Sequence, residues 1–276
     1  MTVLPDPSGA GPFRPVADHT YVATAGFSLD GETGEINVGL VVGSEAALLV
    51  DAGGTAEQGR LLQQAAAEIT ELPLTTVVLT HAHADHAHGL AGIETATSIA
   101  HESTRDRLAL DPATPTLPSR AVSVAAAIDL GGGVRVEAVH LGRGHTDGDL
   151  IVVVPDVQVV FAGDLVESAG PPQYGPDSYP HEWPATLDGL VGITLDHSVI
   201  VPGHGPVMTR DDVFEQRSRV AAVSGEITRL GSLGVSVEDA EDRTEWALPF
   251  AAVREGYAVG VKQARAAAPV RQLPLV

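Results

Sequence analysis

The chain has 276 residues, 44% of them hydrophobic and 4% aromatic, with 36 acidic against 16 basic residues and a net charge of −20. A chain of this length buries a sizeable core, and a surface this negative repels phosphate backbones, which excludes nucleic acid as an expected partner. Cysteine is absent, so disulfides and thiolate ligands are ruled out and any metal must sit on nitrogen and oxygen.

In chain order, residues 1–17 read as an irregular lead-in without the basic start and apolar stretch of a signal peptide. Strand-type runs follow at Tyr21–Phe27, Ile36–Val42 and Ala46–Val50, the last ending in a turn at Asp51. Thr55–Glu71 has a helical apolar stripe, with Thr55 and Gln58 spaced as a capping box. Thr75–Thr80 is a buried-type strand running into "HAHADHAHG", four histidines and an aspartate within residues 81–89. Residues 87–110 mix helical turns with a strand near Ser98–His101. Further strands are expected at Val122–Ala126, Val134–His140, Leu150–Val154, Val157–Ala162 and Ser198–Val201. Helices are expected at Thr209–Leu230, capped by Thr209 and Asp212, then at Glu238–Leu248 and Val253–Ala268. Strands interleaved with helices predict layered α/β packing in a single domain over residues 1–276, with 209–276 as a helical C-terminal extension. No apolar run approaches the ~20 residues of a membrane span, and a cytoplasmic protein is expected.

The recurring feature is an apolar strand followed at once by a polar turn, at Asp51, His81, Asp164 and His204. Loops anchored on buried strands hold reactive groups rigidly. In an extended segment His81 and His83 point the same way and can grip one ion. A turn at Asp85 swings it and His86 toward a second. "GRGHTDGD" adds His145, "FAGDL" adds Asp164 and "VPGHGP" adds His204.

With these elements in this order, Asp51, His81-x-His83-x-Asp85-His86, His145, Asp164 and His204, the chain resembles the metallo-β-lactamase fold superfamily over roughly residues 18–210. The resemblance implies a four-layer αββα sandwich with two divalent metal ions, zinc first and iron or manganese as alternatives, at one edge. It implies His81, His83 and His145 on the first ion, Asp85, His86 and His204 on the second, Asp164 between them, and Asp51 orienting a ligand by hydrogen bond. The implied activity is hydrolysis of a small-molecule ester, thioester, lactone or lactam by a hydroxide shared between the ions, with Asp85 positioning it and moving its proton. An iron-dependent redox enzyme on the same ligands and a metal-binding protein without turnover are the alternative readings. A homodimer is compatible with the sequence.

The stretch "GPPQYGPDSYPHEWP", residues 170–184, is long and rich in proline and aromatics, and reads as a lid or pocket wall. Tyr174, Tyr179, His181 and Trp183 are its candidate substrate contacts. Arg143 is a candidate partner for a substrate carboxylate, with a surface ion pair as the alternative. Asp147 and Asp149 are expected to brace their loop. His19, His88, His101, His140 and His197 read as structural or rim residues.

Overall fold

In a computed structural model, which describes residues 9–29 and 32–267, two sheets face each other. The first contains β1 (Arg14–Ala17), β2 (Thr20–Leu29), β3 (Glu32–Val42), β4 (Ala47–Val50), β5 (Leu74–Val78), β6 (Thr97–His101) and β7 (Arg120–Val122), adjacent in that order. The second contains β8 (Ala125–Asp129), β9 (Arg135–Val139), β10 (Ile151–Val154), β11 (Val159–Glu167) and β12 (Val199–His204), in the order β12-β11-β10-β9-β8. The helices are α1 (Ala56–Ile69), α2 (Ala84–Ala87), α3 (Glu102–Leu110), α4 (Trp183–Ile193), α5 (Arg210–Ser232), α6 (Val237–Ala240) and α7 (Phe250–Ala267).

Three apolar layers produce the αββα order. Val41, Leu48, Val50 and Val78 of the first sheet meet Val136, Val152, Phe161 and Val201 of the second. The other face of the first sheet, with Val38, Leu40 and Leu49, packs on Leu62 and Ala66 of α1 and Leu108 of α3. The outer face of the second, with Ile151, Val160 and Ile200, packs on Leu187 and Leu190 of α4, Val220 and Ile227 of α5, and Val253 of α7. Each fully buried Leu, Ile or Val contributes about 1.5–3 kcal/mol. All nine residues of β11 are buried, as expected of a strand covered on both faces.

Most expected elements appear, with informative differences. The single strand expected at Val122–Ala126 is two, β7 and β8, because the chain leaves one sheet and enters the other at Ser123–Val124. Strand β11 runs through Asp164 to Glu167 instead of ending before the aspartate. Helix α4 was not expected. The helix expected at Glu238–Leu248 is one turn, α6, followed by a 3-10 turn. Trp246 Nε1 donates to the Ala240 carbonyl (3.2 Å), closing the chain back on that turn. At α5 the capping box of Thr209 and Asp212 forms in full. At α1 only half forms: Thr55 accepts from the Gln58 N–H, but the Gln58 side chain turns to the Gly54 N–H and the Gly26 carbonyl. Residues 1–8 of the expected lead-in and 268–276 of the expected extension lie outside the described residues.

Candidate metal centre

The polar cluster forms at one edge of the sandwich, where β4, β5, β11 and β12 end. Asp51 follows β4 in a left-handed conformation (φ 65°), which aspartate tolerates better than most residues. Its carboxylate fixes that geometry by accepting from the Thr80 N–H (2.7 Å) and the Thr80 hydroxyl (2.8 Å). The chain bends after β5, so His81 does not lie in a strand. His83 is extended, and α2 then winds a single turn carrying Asp85 and His86. The rings of His81 and His83 still meet edge to face, 4.7 Å between centroids. A side chain at Gly203 would place its Cβ 1.8 Å from Asp164 Oδ1, so β12 approaches the cluster only with glycine there.

Each of the five imidazoles has one ring nitrogen held by a neighbour and the other turned inward. His81 Nδ1 meets Thr80 Oγ1 (3.0 Å), and His86 Nδ1 meets Asp51 Oδ2 (2.8 Å). His83 Nε2 meets Asp177 Oδ2 (3.1 Å), His145 Nδ1 the Gln173 carbonyl (3.2 Å), and His204 Nδ1 the Glu35 carbonyl (3.1 Å). Held as donors on that side, the rings can, when neutral, present a lone pair on the other, the form a metal requires. Asp51 receives the His86 N–H directly and the His81 N–H through the Thr80 hydroxyl, so one carboxylate orients two rings.

The inward atoms gather around Asp164. Its Oδ2 lies 3.7 Å from His81 Nε2, 3.4 Å from His145 Nε2 and 3.4 Å from His204 Nε2, and its Oδ1 lies 3.2 Å from His86 Nε2. His145 Nε2 is 2.9 Å from His83 Nδ1. Asp85 Oδ2 stands 3.7 Å from His86 Nε2 and 3.6 Å from His204 Nε2. One ligand atom each from His81, His83, His145 and Asp164 lie within 4.8 Å of one another, as do those of Asp85, His86 and His204. Two buried atoms facing this space, His81 Nε2 and Asp164 Oδ1, have no hydrogen-bond partner. Orphaned buried polar atoms are costly. A cation among nitrogen and carboxylate donors would satisfy both, so the residues fit a divalent metal.

Charge differs across the cluster. Burial, with His86 nearby, holds the His81 pKa well below its usual value, and burial lowers that of His145 to about 4. Burial also opposes charge on His83, His86 and His204, but carboxylates overcome it. Asp177 raises His83; Asp164, Asp85 and Asp51 raise His86 well above the usual value; Asp164 raises His204 to about 9. Asp164 stays ionised despite burial, its pKa lowered by His86, His204 and His81.

The ligands expected from the sequence, His81, His83, Asp85, His86, His145, Asp164 and His204, therefore come together, with Asp51 beneath them. The expected substrate contacts do not. Trp183 is fully buried and donates to the Leu165 carbonyl (3.1 Å), and Tyr174 is buried against Gly256 of α7. His181 bonds the Gly260 carbonyl of α7 (3.1 Å). Arg143 forks onto Glu182 (2.8 and 2.6 Å) and covers the Tyr179 ring at 4.4 Å, so both belong to a surface ion-pair assembly. Residues 170–184 are thus bound to the C-terminal helices on one side. On the other they supply Asp177, which the sequence reading missed. Asp177 also pairs with Arg107 of α3 (2.8 Å), and Arg107 reaches Asp147 (3.0 Å). Asp149 braces its loop by accepting from the Thr146 N–H and hydroxyl. Glu167, also missed, lies buried beside His204. A lone acid three or thirteen residues after Asp164 carries no sequence signal of its own.

Four layers and a histidine–aspartate cluster at their edge define an αββα protein with a candidate metal centre. The chain belongs to the metallo-beta-lactamase superfamily, whose model matches residues 31–204. Curated relatives include "Metallo-beta-lactamase type 2" of Bacillus sp. (strain 170), 28% identical over 136 residues (49% of this chain, 52% of that protein). The Bacillus cereus protein of the same name is 28% identical over 139 residues (50% and 54%). The chain thus spans about half the length of these two relatives. The Bacteroides fragilis protein is 26% identical over 194 residues, 68% of this chain and 75% of that one. Among solved structures, a metallo-beta-lactamase from Pontibacter korlensis superposes with a TM-score of 0.67 at 22% identity, covering 76% of this chain and 98% of that one. One from Erythrobacter litoralis gives 0.66 at 22%, covering 76% and 95%. At such identity these structures show the fold alone. Among the described residues, no helix is long and apolar enough to cross a membrane.

Proposed function

We propose that the protein is a metal-dependent hydrolase acting on a small-molecule ester, thioester, lactone or lactam, with two divalent ions, zinc foremost, held by the cluster. The observation that carries this reading is the set of five imidazoles, each with one nitrogen tied back, four with the other nitrogen within 3.7 Å of the shared carboxylate Asp164 and the fifth, His83, facing His145. His81, His83 and His145 would hold one ion, Asp85, His86 and His204 the other, and Asp164 both. Ions there would supply polarisation of a carbonyl and a water that ionises near pH ~7.

The rest of the chemistry falls to this chain. Asp164, buried and ionised, balances charge between the two groups. Asp85 is more exposed than Asp164, its side chain 15% accessible against 7%. It is placed to take a proton from an attacking water and return it to the leaving group. Thr80 and Asp51 keep the His81 and His86 rings from turning as charge develops.

A chromogenic panel of lactones, thioesters, phosphoesters and β-lactams, run with EDTA-treated protein as control, tests the proposal. Turnover of an acyl substrate that is lost with EDTA and restored by added metal supports it. Tight metal binding with no turnover across the panel would overturn it in favour of a non-catalytic metal protein, and an oxygen-dependent reaction in favour of a redox enzyme.

A further inference from the structure

Glu167 ends β11 in register with His204 of β12, across the parallel pairing. Neighbours paired in this way project to the same face of a sheet. Three residues earlier on the same strand stands Asp164. The Glu167 carboxylate offers an oxygen that lies, with one ligand atom each from Asp164 and His204, inside a 4.8 Å group. The residue is only 8% exposed.

Its backbone is fixed and its carboxylate is not. The Glu167 N–H donates to Gln216 Oε1 of α5 (2.9 Å), while the Gln216 amide donates elsewhere, to the Leu165 carbonyl (3.1 Å). Among the described residues nothing donates a hydrogen bond to the Glu167 carboxylate and no arginine or lysine pairs with it. A carboxylate taken out of water without donors is unfavourable as the anion unless a cation meets it; without one it holds a proton, and burial and Asp164 raise the Glu167 pKa well above the usual carboxylate range. The adjoining Asp164 Oδ1 is likewise buried without a hydrogen-bond partner. A carboxylate with a buried unpartnered oxygen, a second carboxylate without a donor and an inward imidazole therefore converge on one small space.

We infer that Glu167 is a further metal ligand, joining Asp164 and His204 on a divalent cation. The inference rests on the reading of the cluster as a metal centre. It gives the His204 end three carboxylates, Asp85, Asp164 and Glu167, with the imidazoles of His86 and His204. Such an oxygen-rich set exceeds the four donors of a tetrahedral zinc site and suits ions that accept more and harder ligands, Mn2+ or Fe2+. The opposite end, with three imidazoles and Asp164, keeps the composition that suits zinc.

The test uses the full chain, metal-free, as wild type and as Glu167→Gln and Glu167→Asp. Glutamine keeps the shape and removes the charge; aspartate keeps the charge and shortens the reach. Mn2+ is titrated and free ion followed by electron paramagnetic resonance, with Zn2+ titrated in parallel and bound metal counted by elemental analysis. Thermal unfolding of the metal-free variants verifies that they fold. Both variants are expected to bind Mn2+ about 10–100-fold more weakly at one position, with a smaller loss for Zn2+. Mn2+ affinities equal to wild type within about twofold in both folded variants overturn the role of Glu167 while leaving the metal centre standing. A wild type that binds neither ion overturns both.

Discussion

His81, His83 and His145 occupy one end of the cluster with a single carboxylate, Asp164, among their inward atoms; Asp85, His86 and His204 occupy the other, with Asp164 and Glu167 beside them. Burial acts on the histidines of both ends, yet they hold protons differently. At the first, burial and mutual repulsion of the rings keep His81 and His145 neutral, ready for a metal at ordinary pH. At the second, carboxylates overcome the same burial and keep His86 and His204 charged. A cation entering there takes the place of protons. Burial alone therefore does not fix the state of a histidine; the neighbouring charges decide it.

Replacing what the two ends share gives the largest expected effect. Asp164→Ala should remove metal from both ends and lower turnover by more than about 100-fold. Elemental analysis and the acyl-substrate panel measure it, and full metal content at either end would break the symmetry assigned to Asp164. Asp51→Ala should come next. Because Asp51 orients His86 directly and His81 through Thr80, affinity should fall about 10–100-fold at both ends. A loss confined to one end would disprove the coupling.

Asp177→Asn sharpens the contrast by touching one end only. It weakens the hold on His83 Nε2 and removes one of the two ion pairs of Arg107, so the imidazole-rich end should lose about tenfold in zinc affinity. Competition against a zinc chelator reads that loss, and the Asp85 end should keep its affinity.

pH separates the ends without mutation. Metal binding at the Asp85, His86 and His204 end should weaken as pH falls below about 9, by up to about tenfold per unit for each proton displaced. His81 and His145 add no such dependence at the other end until far lower pH, although His83 adds some of its own. Calorimetry in buffers of different ionisation enthalpy counts the protons released.

The smallest effect concerns the metal-free fold. The His204 pKa rises from 6.5 to about 9 on folding, so its contribution is full below 6.5 and is lost as pH rises through 9. It amounts to about 3 kcal/mol at most, since one pKa unit is about 1.4 kcal/mol. Denaturant titrations of metal-free protein across this range should show the decline, and His204→Ala should flatten it.

The seven candidate ligands were legible because they lie where apolar strands meet polar loops, in or beside glycine-rich stretches, and four of them fall within six residues. Chain neighbours at such spacing cannot avoid one another, and a strand end fixes where they point. The long helix after residue 209, α5, was legible for a similar reason, since the Thr209 and Asp212 box and the apolar stripe are local signals.

The tertiary fold alone decided the rest. Residues 170–184 have the composition of a pocket wall, but which side of them meets water depends on α7, which contacts Tyr174 and His181 from behind. The split of 120–129 between two sheets depends on which strands stand ready to pair with each half. Asp177 and Glu167 reach the cluster from outside its motif, and α1 gave up half its capping box to bond Gly26 on β2. In each case the partner is distant in sequence. Periodicity and spacing report what a residue does to its chain neighbours, whereas burial, charge and hydrogen bonding across the core exist only once the layers close.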